Sequence, residues 1–280
     1  MTFNDYLRWQ VFTKASLCRA FEEEVFKYVK QGGVIKSPVY LSAGQEFAPA
    51  TLAVMYQLYK PLLFAQHRAH STYLSFGGDP VALVDELLGL PSGCCRGMAG
   101  SPSIQGKDIN MYGHDGFIGT EIPIGVGACF ASKKFTIIFM GDAAIEEDYA
   151  LATFGWAATK DLPVLFVVED NNLSVLTEKK VRRNWKIEDV ARGFGIEAVS
   201  IKDDPKDIYS WLIGYRTNSP RLVNIESDRL YWHSGAGEDS YQKRDRYLME
   251  MEDLGEEAKQ LYKDAKLQVE NLWKSRLDKL

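Results

Sequence analysis

The chain has 280 residues, 46% hydrophobic and 25% charged, with a formal net charge of −5 at pH 7. That length buries about three quarters of the unfolded surface in one large domain, and mild acidity without a dense Lys/Arg run gives no support to nucleic-acid or membrane binding. No apolar run reaches the ~18–20 residues that span a bilayer, and the first residues lack the regions of an export signal. Cys18, Cys94, Cys95 and Cys129 form neither a Cys-x-x-Cys pair nor a disulfide framework, so a reducing cytoplasm is the expected setting.

In chain order, residues 5–31 predict a helix with an irregular apolar stripe, stopped by Gly32-Gly33. A second helix is expected over 44–58, and a strand at Pro61–Phe64 then delivers His67, Arg68 and His70 to the loop at its end. Gly77-Gly78-Asp79-Pro80 opens another helix, and Ser92–Gly119 is a long connection with little regular pattern. Such loops are usually functional or mobile. Strands at Phe135–Met140 and Pro163–Val168 flank a helix at 144–160, and strands at 195–200 and 221–226 flank one at 205–216. Beyond the main domain, residues 1–240, the segment 241–280 carries Leu254, Ala258, Leu261, Ala265, Val269, Leu272 and Leu277 at helical spacing. It reads as an amphipathic helix that packs on its own domain or on a partner subunit.

The densest chemistry lies between Phe135 and Thr177. Two short apolar runs suit strands buried on both faces of a parallel sheet. A right-handed crossover between them brings Asp142 and Asn171, 29 residues apart, to the same carboxyl edge. A carboxylate, an amide oxygen and a backbone carbonyl there suit a hard divalent cation that keeps positions for phosphate oxygens. For Gly141-Asp142 alone, a solvated Asp in an ordinary strand-loop-helix is the commoner arrangement; the full spacing favours the site.

Gly141-Asp142-Ala143-Ala144, followed by Leu162 to Thr177 with Glu169-Asp170-Asn171-Asn172-Leu173, resembles the thiamine diphosphate motif of 2-oxo acid dehydrogenases, in the alpha subunit of their decarboxylating component. Gly44-Gln45-Glu46, Arg68-Ala69-His70, Gly93-Cys94, Gly116-Phe117-Ile118-Gly119, Ile122-Pro123-Ile124-Gly125 and Arg229 with His233-Ser234 resemble that family's other blocks in the same order. The resemblance implies an α/β thiamine diphosphate-binding fold, a mostly parallel sheet with helices on both faces. It implies that Asp142, the Asn171 side chain and the main-chain carbonyl of Leu173 bind Mg²⁺. It gives the diphosphate to Arg68, Arg229 and the amides of Ala143 and Ala144 after Gly141, at a helix N-terminus. Gly116 and Ile118 hold the aminopyrimidine, His67 lies beside the phosphate site, and His70 and His233 act on the bound substrate.

The implied reaction decarboxylates a 2-oxo acid and transfers the acyl or aldehyde unit, with a lipoyl carrier protein as one acceptor. The carboxylate that activates the cofactor belongs, in that family, to a separate pyrimidine-binding domain. The chain holds no second such domain, so a beta-type partner in an α₂β₂ assembly is expected to supply that Glu. Departures from type are Ala143 for Gly, His67 for Tyr, Glu121 for Gln, Ala152 for Glu, and Trp232 before His233. They leave open carbon–carbon ligation onto a free aldehyde or ketone, a split transketolase-like enzyme, and a non-catalytic assembly subunit. The loop Tyr231–Ser240 is expected to be mobile without cofactor.

Overall fold

The computed structural model describes residues 3–215, 217–235, 237, 244–278 and 280. Its elements are α1 (Asp5–Gln31), α2 (Phe47–Tyr56), β1 (Leu62–Phe64), α3 (His70–Ser75), α4 (Pro80–Leu87), β2 (Met111–Tyr112), α5 (Glu121–Ser132), β3 (Thr136–Gly141), α6 (Asp148–Thr159) and β4 (Val164–Asp170). There follow β5 (Leu173–Ser174), β6 (Thr177–Glu178), α7 (Lys179–Arg182), α8 (Ile187–Gly193), β7 (Glu197–Lys202), α9 (Pro205–Leu212), β8 (Arg221–Glu226), α10 (Arg246–Leu254) and α11 (Glu256–Leu277).

Caps set several of these boundaries. Asn4 accepts from the amide of Leu7 to start α1, and Gly32 ends it with φ at 74°. Asp79 and Asp204 cap α4 and α9, each followed by a proline at the first turn.

Six strands form one wholly parallel sheet in the order β2-β1-β3-β4-β8-β7. Alternation along the strands divides the core in two. Ile137, Phe139, Leu165, Val167, Val223 and Ile225 pack with α1, α2, α4, α9 and α11, while Ile138, Met140, Val164, Phe166, Val168 and Leu222 pack with α5, α6 and α8. Burial on both faces explains why these strands read as continuous apolar runs. Full burial of one such side chain stabilises by about 1.5–3 kcal/mol. The strand order reverses between β1 and β3, and a parallel sheet opens a crevice beyond its carboxyl ends at that point.

Two expected helices are broken. The span 144–160 divides into a single 3₁₀ turn, Ala144–Glu146, and α6. Glu146 is turned toward Arg182 and Arg183, and Glu147 between the two pieces is extended. The carboxyl segment divides at Gly255, where φ is 81°; its residues 241–243 and 279 lie outside the described residues. The helical spacing runs across the break, so periodicity alone gave no sign of it. α11 lies on α1 and α4, with Trp273 fully buried and stacked on Tyr28 at 4.7 Å. α10 is tied to α1 by Arg19, which pairs with Glu46 at 2.6 Å and with Asp245, the cap of α10, at 2.7 Å.

Candidate functional site

The crevice between β1 and β3 holds a cavity of about 270 Å³. From the end of β1 it receives Gln66, His67 and Arg68, from β3 Gly141 and Asp142, then Ala143 and Ala144. Past β4 come Asn171, Leu173, Ser174 and Val175, and past β8 Arg229 and His233. Ile118, Gly119 and Glu121 close one side together with His114. Gly116 lies in an adjoining side cavity of about 220 Å³ that shares His67, His114, Ile118 and His233 with the main one.

The groups expected to bind a cation are held by local contacts. Asn171 donates from Nδ2 to Gln45 Oε1 at 3.1 Å and accepts the Leu173 amide on Oδ1 at 3.1 Å. Gln45 is delivered by a tight turn at Gly44, where φ is 92° and a Cβ would lie 1.9 Å from the Asp228 carbonyl. Only glycine fits there. Asp142 is buried, which raises its carboxyl, with Asp170 adding to the rise and the Arg182 guanidinium opposing it. Arg182 forms an ion pair with Asp142, and Arg183 donates to the Asp142 carbonyl. An all-oxygen set of Asp142, Asn171 and Leu173 fits a hard divalent ion, and Arg182 supplies the positive charge that the buried carboxylate requires.

Arg68 donates to the Leu41 carbonyl at 2.6 Å and the His233 carbonyl at 3.2 Å, and Arg229 donates to the Val175 carbonyl at 3.1 Å. Val175 has φ at 54°, a strained conformation for a β-branched residue. Ala143 has φ at −85°, so alanine costs nothing where the motif has glycine. The amides of Ala143 and Ala144 stand at the 3₁₀ turn rather than at a long helix, which corrects the expected helix-dipole contribution.

His70 is not in the cavity, contrary to the expectation that it stands with His233. It opens α3 fully buried, with Nδ1 2.9 Å from Glu22 Oε1 and Nε2 2.9 Å from Ser101 Oγ. Ser101 Oγ also accepts the Tyr40 amide at 2.9 Å. Both ring nitrogens are thus committed to a network behind the cavity wall. The imidazoles that do line it are His67, His114 and His233. Burial, then Arg68, holds His67 well below the usual imidazole range, and burial lowers His114.

Glu121, noted in the sequence only as a departure, lines the cavity; burial pushes it up to about 8, and its Oε2 has no partner. The Arg182-Arg183 pair was also missed. Its signal was two adjacent arginines shortly after the Asn171 segment. Among the described residues, Glu86, Cys94 and Cys95 stand close enough to share a metal. The Glu86 carboxylate instead accepts the amides of Cys95, Gly97, Ala99 and Gly100 at 2.7–3.1 Å and pins the 92–119 connection.

A family model described as "Dehydrogenase E1 component" matches residues 13–279. The chain is 30% identical over 196 residues to a mitochondrial pyruvate dehydrogenase E1 component subunit alpha-1 of Oryza sativa, covering 65% of this chain and 50% of that one. It is 33% identical over 199 residues to the alpha subunit of an acetoin:2,6-dichlorophenolindophenol oxidoreductase of Cupriavidus necator, covering 68% and 59%. It thus spans between half and three fifths of these two relatives. A mutant transketolase from Pichia stipitis shares the fold with a TM-score of 0.58 at 16% identity, covering 96% of this chain and 45% of that one.

Proposed function

The chain belongs to the dehydrogenase E1 component family, and we propose that it is the alpha-type subunit of a thiamine diphosphate- and Mg²⁺-dependent enzyme that decarboxylates a 2-oxo acid and passes on the acyl or aldehyde unit. The observation that carries this reading is the meeting of Asp142, Asn171, Leu173, Arg68 and Arg229 on one cavity at the carboxyl edge of a parallel sheet. The oxygens would hold Mg²⁺, and the two guanidinium groups would take the diphosphate charge. When bound, the cofactor supplies the carbon nucleophile and the electron sink for decarboxylation. His233 would hold a proton at the substrate oxygen, with His67 a neutral neighbour.

The activating Glu would come from a beta-type partner with a pyrimidine-binding domain. Phe117, Ile118, Val175, Leu176 and Trp232 are exposed on segments bordering the cavity, and such apolar rims suit a covering subunit. The acceptor would be a lipoyl carrier protein or a free aldehyde, and the proposed setting is the cytoplasm. No helix among the described residues is long and apolar enough to cross a membrane.

The Arg182–Asp142 pair favours a second reading, an assembly subunit in which the arginine has taken the metal's place for good. Co-expression with the beta-type protein followed by assay of 2-oxo acid decarboxylation separates the two. Turnover that requires both chains and both cofactors supports the enzyme. An intact complex that never turns over supports the assembly role.

A further inference from the structure

We propose that Cys94 and Cys95 form a peroxide-responsive redox site, closing a reversible disulfide between neighbouring residues on the connection that leads to Gly116 and Ile118. The two thiols line a surface cavity of about 670 Å³ together with Arg96, Gln105, Lys107 and Tyr112. None of the residues lining it lines the main cavity, so the inference holds whether or not that cavity binds a cofactor.

The sulfurs of Cys94 and Cys95 lie 4.0 Å apart, and both side chains are half-buried, within reach of a small dissolved oxidant. Cys18 and Cys129 are buried. Glu86 stands close enough to share a metal with the pair, but both of its oxygens are committed. Its Oε2 accepts the amides of Cys95 and Gly97, and its Oε1 those of Ala99 and Gly100. What remains free to react is a pair of thiols rather than a three-ligand metal site.

Redox-sensing cysteines combine thiolate character, exposure and a second thiol close by. Cys95 has all three. Its Sγ accepts the Gln105 amide at 3.1 Å. Contact with Cys94 holds the Cys95 thiol below the usual range against the opposing effect of burial, and the Gln105 amide adds to the lowering. The same contact, with burial, raises Cys94, while burial raises both Cys18 and Cys129. The Cys95 thiolate attacks the O–O bond of a peroxide, giving a sulfenic acid and a hydroxide that takes up the thiol proton as water. The Cys94 sulfur then displaces hydroxide from the sulfenic sulfur and gives it the second proton. Two thiols are oxidised to one disulfide, and one hydrogen peroxide is reduced to two waters. Neighbouring Cα atoms are about 3.8 Å apart, closer than the ~4.4–6.8 Å of ordinary disulfides, so the bond is strained and readily reduced. Disulfides formed in reducing compartments are usually transient or redox-sensing, which suits such a bond.

The test uses the full chain, fully reduced, with hydrogen peroxide as oxidant. Free thiols counted after unfolding should fall from four by the one oxidised pair, and dithiothreitol should restore all four. Mass spectrometry should place the loss of two hydrogens within a single peptide holding Cys94 and Cys95. The pair should react at least about tenfold faster than Cys18 or Cys129. In Cys94→Ser, dimedone should trap a sulfenic acid on Cys95; in Cys95→Ser, trapping on Cys94 should be slower by at least about tenfold. Oxidation of Cys18 or Cys129 at the rate of the pair, sulfinic acids in place of the disulfide, a bond between two chains, or stoichiometric zinc held by the pair in the purified chain would overturn the proposal.

Discussion

Arg182 and Asp142 make the sharpest residue-scale claim, because the carboxylate is buried and its charge must be met by something. Removing one member of such a pair costs roughly 3–5 kcal/mol. Arg182→Ala should therefore lower the melting temperature in chelator and recover it on adding Mg²⁺ by more than the wild type does; a variant whose stability ignores Mg²⁺ would count against a metal at Asp142. Glu121 gives a pH signature. Its folded value of about 8 lies above the ordinary 4.5, so the folded state keeps a proton that the unfolded chain releases. Stability from this group is present below pH 4.5 and is lost as pH rises toward 8, a penalty on the order of a few kcal/mol. Glu121→Gln, isosteric and uncharged, should match wild type near pH 4.5 and exceed it at pH 8 in urea melts. Identical pH profiles would show that Glu121 is ionised at little cost.

Among the elements, α11 is the segment whose partner the sequence left open, and the structure packs it on α1 and α4 around Trp273. Trp273→Ala should cost about 3–5 kcal/mol in urea unfolding; a loss under 1 kcal/mol would show that the helix is held from outside. The sheet was legible because strands buried on both faces leave unbroken apolar runs, as at Phe135–Met140 and Pro163–Val168. The two-residue strands β2, β5 and β6 were not, since a pair of residues carries no period. Gly255 was visible as a glycine, but the apolar spacing continues from Leu254 to Ala258 across it. The site was legible where short chain segments carry it, as in Gly141 to Ala144 and Asn171 to Leu173. His70 was misplaced because resemblance gives order along the chain and not the direction in which α3 points a side chain. Arg182 was missed because its meeting with Asp142, 40 residues earlier, depends on the β5–β6 hairpin.

At the scale of the whole molecule, the site is a half-enclosed cavity bordered by exposed apolar residues on a chain with one parallel sheet among its described residues. On the proposed reading the cavity's residues would hold a diphosphate and a metal, and the carboxylate that activates the cofactor would come from a beta-type subunit. The loop at 231–240 joins the cavity through His233; its residues 236 and 238–240, part of the segment expected to be mobile, lie outside the described residues. The central claim is that this cavity binds thiamine diphosphate through a metal on Asp142. Calorimetric titration of thiamine diphosphate, with and without Mg²⁺, into the complex of wild-type chain or Asp142→Asn with its beta-type subunit tests it directly. The account predicts Mg²⁺-dependent binding by wild type and an affinity lower by at least roughly tenfold in the variant. Unchanged affinity in the variant, or no binding by an intact wild-type complex, would contradict it.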